Sequence, residues 1–141
     1  MYRVLFAMFC SLWLAGCEPS VVEDNSVADQ AAKSRALQYA NDARQIDAAI
    51  TFFIMLYDGL QPESIANAVN DADGNGIKDS LVDEELLTGD YSNWTLVDNQ
   101  LHRDNVPHRV CLALQSHSNF VQCQPMAGAD DQYVAQFARE D

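Results

Sequence analysis

The stretch Tyr39-Ala-Asn-Asp-Ala-Arg-Gln-Ile-Asp-Ala-Ala-Ile-Thr-Phe-Phe-Ile-Met-Leu-Tyr57 decides the fold class. Tyr39, Ala43, Ile46, Ile50, Phe53 and Tyr57 recur at intervals of 4, 3, 4, 3 and 4, the period of one helix face, while Arg35, Asp42, Arg44 and Asp47 fall on other faces. A long amphipathic helix beginning at about Asp29 follows from this spacing. Its end, Thr51 to Leu56, is apolar nearly all round, which predicts that the rest of the domain encloses it. Asp58-Gly59 supplies the stop, because Gly takes the left-handed backbone of a helix cap at no steric cost.

Downstream the period changes. Pro62 stands where a first helical position belongs, and Ile65, Ala66 and Val69 give a short apolar face up to Asn70. Ser80 to Leu87 predicts a further short helix, with Leu81, Val82, Leu86 and Leu87 apolar and Gly89 ending it. Trp94 to Val97 and Phe120 to Cys123 are β-prone, whereas the run from Asn105 to Leu114 starts like a helix with Pro107 in its first turn. Asp130 to Arg139 reads as a last helix or strand. The class is α+β: a long N-terminal helix, a short helix-loop-helix, a small antiparallel sheet and one disulfide.

The chain opens with a basic Met1-Tyr2-Arg3, an apolar run from Val4 to Leu14 and small residues, the layout of a secretory signal. The run is too short to span a bilayer, which takes about 18 apolar residues or more. Cys17 directly follows Leu14-Ala15-Gly16, and this tetrad resembles the lipobox of bacterial lipoproteins. The resemblance implies that residues 1–16 are removed and that Cys17 carries acyl chains of the palmitate kind, which anchor the mature protein to the membrane. Glu18, rather than Asp, follows the Cys, which by the enterobacterial sorting pattern points to the outer membrane. An acidic, aperiodic tether is expected over 17–28 and a single globular domain over 29–141.

Cleavage before Cys17 leaves 125 of the 141 residues, with 7 basic against 21 acidic side chains. That balance repels phosphate backbones, so no nucleic-acid partner is expected. The lipid anchor supplies the membrane contact, and an envelope protein is the remaining candidate partner. Cys10 leaves with the signal and Cys17 goes to lipid, so Cys111 and Cys123 remain as the one pair. In an oxidising envelope they are expected to join, and closing a loop of that length stabilises the fold by roughly 3 kcal/mol on the chain-entropy model. Their spacing is not Cys-x-x-Cys, which argues against a redox pair or a two-Cys metal site.

Asp71-Ala-Asp-Gly-Asn-Gly-Ile-Lys-Asp79 places oxygen donors at alternate positions of a turning backbone, the arrangement calcium needs. Asp71, Asp73, Asn75 and Asp79 would ligate through side chains or water and Ile77 through its carbonyl, with Gly76 making the bend. The stretch resembles the EF-hand loop, and more closely the thrombospondin type 3 class of calcium loop, in which the apolar residue follows the Gly. Val82 stands where position 12 carries an acid in both classes, so the expected affinity is weak, on the order of 0.1 to 1 mM. The alternative is a solvated Asx turn whose acids cap the following helix.

No catalytic residue can be named. His102, His108 and His117 are scattered, and neither a Gly-x-Ser-x-Gly, a Walker A nor a His-Glu-x-x-His is present. His102-Arg103-Asp104 shares its letters with the catalytic loop of protein kinases, but the chain has no Gly-rich phosphate loop and no Asp-Phe-Gly. The long helix, the variable middle and the Cys pair near the C-terminus resemble the globular head of type IV pilins and pseudopilins. The expectation is therefore a non-catalytic envelope lipoprotein with a calcium-binding loop and a structural or protein-interaction role. A pilin-like accessory subunit of a type IV pilus or type II secretion apparatus is the alternative.

Overall fold

The computed structural model describes residues 22–66 and 80–139, with side chains from Ser26 onward. The signal segment, Cys17 and the acidic stretch Asp71 to Asp79 lie outside the described residues. The order of elements is α1 (Val22–Leu56), β1 (Trp94–Val97), β2 (Gln100–Pro107), α2 (His108–His117), β3 (Val121–Pro125) and β4 (Gln132–Ala138). The α+β class holds, with the long helix, a second short helix and a small antiparallel sheet.

Helix α1 begins at Val22, so it takes in part of the segment read as a tether. No Gly or Pro interrupts the chain between Val22 and Asp58, and nothing local stops the helix there. At its far end Asp58 and Gly59 take positive φ, and the Gly59 N–H donates to the Ile54 carbonyl at 2.8 Å, the six-to-one bond that closes a helix. Along the spine Ala32, Ala36, Ala43, Ile46, Ile50 and Phe53 are buried, and Tyr39 and Tyr57 pack against them. No helix among the described residues is long and apolar enough to cross a membrane.

The four strands are antiparallel in the order β1-β2-β4-β3. Asp98 and Asn99, both at positive φ, form the two-residue turn between β1 and β2, the geometry that matches strand twist. Register puts Trp94, Arg103, Ala135 and Cys123 in one row and Leu96, Leu101, Phe137 and Val121 in the next. These rows face the helices. The opposite face carries Thr95, His102, Gln122 and Gln136, and among the described residues the helices cover the sheet on one side only. Val106 is fully buried although it stands an odd number of residues from Leu101. A bulge between Arg103 and Val106, with Asn105 at φ 57°, restores the inward face.

Helices α1 and α2 approach closely, and small side chains at Ala32, Ala36 and Ala113 permit it. The disulfide Cys111–Cys123, with Cα atoms 6.1 Å apart, ties α2 to β3. It satisfies the expectation from the sequence.

Three expectations are corrected. The helix expected from Pro62 does not form over its described part, where Ser64 makes a parallel bridge with Ser80; Ser80 to Leu87 is a series of turns rather than an α-helix. Each side chain there follows its burial and not a helical period: Ile65, Ser80, Leu81 and Leu87 are inside. The apolar end of α1 is also not enclosed. Phe53 is buried, but Phe52, Met55 and Leu56 are about half exposed or more, at 49%, 66% and 52%. The sheet and the turns cover one side of this helix end and leave the other open.

Candidate functional site

The described residues that flank the acidic stretch in sequence, Ser64–Ile65 and Ser80–Val82, are joined as a stem. The Leu81 N–H donates to the Ser64 carbonyl at 3.3 Å and the Val82 N–H to the Ile65 carbonyl at 3.2 Å. Ile65, Ser80 and Leu81 are at most 1% exposed, so these bonds sit in an apolar base where water does not compete. On the outgoing side Ser80 Oγ accepts from the Asp83 N–H at 3.1 Å, a side-chain cap on the turn. The hydroxyl of Tyr57, just past the end of α1, donates to Glu84 Oε2. This bond raises the phenol pKa, with burial and the carboxylate charge acting in the same direction.

Val82, the residue at position 12 of the expected calcium loop, packs against the core and belongs to the stem. Its apolar side chain thus has a packing reason. The expected ligands Asp71, Asp73, Asn75, Ile77 and Asp79 lie outside the described residues, as does Cys17. Among the described residues no three His, Cys, Asp or Glu side chains are grouped to hold a metal.

The three histidines lie apart. His102 is on the outer face of the sheet opposite Gln136. His108 stacks on Tyr133 with ring centres 4.9 Å apart, its Nδ1 3.9 Å from Asp131. His117 ends α2 and lines a cavity between α1 and the β2–β4 face of the sheet. This cavity, of about 540 Å³, was not legible in the sequence, because its walls come from elements far apart in the chain. At its edge Arg139 Nε donates to Asp47 Oδ1 at 2.6 Å, and Arg139 Nη1 donates to Asn99.

Between α1 and the sheet lies a second polar group. The Arg103 guanidinium sits over the rings of Tyr39 and Trp94, 4.8 and 5.6 Å from their centres, and its buried Nε has no hydrogen-bond partner among the described residues. Burial holds the Asp42 carboxyl above the usual carboxylate range, partly offset by the Arg103 charge. Burial also raises the Tyr91 phenol, with the Asp42 charge adding to it. Aromatic faces and one acid thus compensate a cation at the helix–sheet seam, and the cluster joins these layers. Comparison with known protein families, with curated proteins and with solved structures finds no match.

Proposed function

We propose that the chain is a non-catalytic lipoprotein of the bacterial envelope, held to the outer membrane through acylated Cys17. Its acidic domain carries one calcium-binding loop and serves a structural or protein-interaction role. The observation that carries the calcium reading is the stem: Ser64 and Ile65 bonded to Leu81 and Val82 in a buried base. A stem of this kind meets the entropy of closing the loop in advance, so an ion has only the loop interior to order. The sequence sets Asp71, Asp73 and Asp79 within nine residues, and like charges at that spacing favour a divalent cation that offsets them.

Calorimetric titration of the full chain tests this reading. Calcium should bind with a dissociation constant on the order of 0.1 to 1 mM and more tightly than magnesium, which demands a smaller octahedral shell. Asp71→Ala with Asp73→Ala should remove the heat of binding; equal heats for both ions, or none, would leave the loop a solvated turn. Cys17→Ser should abolish acyl labelling, and labelling that persists in that variant contradicts the anchor.

The alternative, a pilin-like accessory subunit of a type IV pilus or type II secretion apparatus, is favoured by one observation. The spine of α1 lies against a layer of helix and sheet tied by the Cys111–Cys123 disulfide. Crosslinking in cells that recovers pilus or secretion subunits supports it, and recovery of unrelated envelope proteins alone opposes it.

A further inference from the structure

We propose that the cavity between α1 and the sheet binds a small amphiphile, an alkyl chain ending in one anionic head, carboxylate or phosphate. Its volume of about 540 Å³ falls inside the roughly 300 to 1,000 Å³ usual for small-molecule sites. Among its lining residues, Ala43, Leu101, Leu114, Val121 and Phe137 belong to the buried core and offer apolar surface to a chain. At the mouth stand Leu37 on α1 and Phe120 before β3, 53% and 61% exposed. Both side chains leave apolar area in water that an occupant would cover.

The polar groups around the cavity select the head. The chain carries 8 basic side chains against 21 acidic ones, yet Arg44, Arg139 and His117 all line this cavity. The acid among the lining residues is Asp47, and it accepts from Arg139 Nε. Arg139 is therefore neutralised, whereas Arg44 has no ion-pair partner among the described residues. Its guanidinium stands exposed at the edge of the apolar walls, a fork-shaped donor positioned for a carboxylate or phosphate. A neutral occupant would leave that charge unused, and a cationic one would be repelled.

Photolabelling of the full chain in phosphatidylcholine vesicles, with a diazirine-bearing decanoate as probe, tests this assignment. Adducts mapped by mass spectrometry should fall on the segments around Leu37 to Arg44 and His117 to Val121. Excess decanoate or decyl phosphate should compete, the stronger of the two naming the head, while decyltrimethylammonium should not. Arg44→Ala, at an exposed position that leaves the core intact, should lower labelling about tenfold at limiting probe, the loss expected for a charge-assisted bond. Ala40→Phe, which fills the cavity from α1, should remove it. Labelling spread along the chain, centred on Phe52 and Met55, competed equally by the cation, or unchanged in Arg44→Ala would overturn the proposal.

Discussion

Two segments of comparable length are closed on themselves, and they differ in what fills them. Residues 111–123 are closed by a covalent bond. Inside lie most of α2 and the start of β3, where Ala113, Leu114 and Val121 are buried. Residues 64–80 are closed by a single bridge and the buried side chains of Ile65, Ser80 and Leu81. Between them the sequence supplies Asp71, Asp73 and Asp79, with Val69 and Ile77 as the large apolar residues. Ordering a residue costs about 1 to 2 kcal/mol of backbone entropy, which apolar burial can offset in the first segment. The second carries few large apolar side chains in its sequence. Under the proposed function, a bound calcium ion supplies there the order that apolar burial supplies in the first segment.

The largest effect expected is at the uncharged closure. Leu81→Ala removes a fully buried side chain from the stem and should cost roughly 2 to 5 kcal/mol in chemical denaturation. It should also weaken calcium binding without touching a proposed ligand; stability lost with calcium affinity unchanged would separate stem from loop. Cys111→Ala should cost about 2 to 4 kcal/mol and leave calcium affinity unchanged, since the covalent closure is a separate one. Ser80→Ala loses the acceptor for the Asp83 N–H and should cost about 1 kcal/mol, read from the same denaturation curves.

A smaller effect tests the polar cluster at the seam between α1 and the sheet. Because burial raises the Asp42 pKa, the native state binds its proton more tightly than the unfolded chain does. Stability from this group is present below the unfolded value near 3.8 and is lost as pH rises through the higher folded value. Asp42→Asn should therefore flatten that fall and leave the protein at least as stable at neutral pH, as urea midpoints across the acid range would show. A steeper fall in the variant would mean that the attraction to Arg103 outweighs burial.

Elements with a complete local signal were legible in the sequence. The 4-3-4-3-4 spacing from Tyr39 to Tyr57 found the buried face of α1 almost residue by residue, and the Cys count found the disulfide. Strand β2 was not found, because Leu101 and Val106 read as opposite faces until the bulge at Asn105 is known. Strand β4 was ambiguous for a related reason: the alternation of Tyr133, Ala135 and Phe137 is short and includes an Ala with high helix propensity. The exposure of Phe52, Met55 and Leu56 was illegible because apolar character says what a side chain tolerates, not what covers it. Of the candidate site, the acids and their spacing could be read, but the stem could not. It depends on Ser64 meeting Ser80, a pairing of distant residues with no period to announce it.

Amide hydrogen exchange with and without calcium tests most directly whether a preformed stem carries a loop ordered by calcium. The Leu81 and Val82 amides, bonded to Ser64 and Ile65, should be protected in both conditions, while amides between Asp71 and Asp79 should gain protection only when calcium is added. Stem amides that exchange freely without calcium, or loop amides that calcium leaves unchanged, would contradict it.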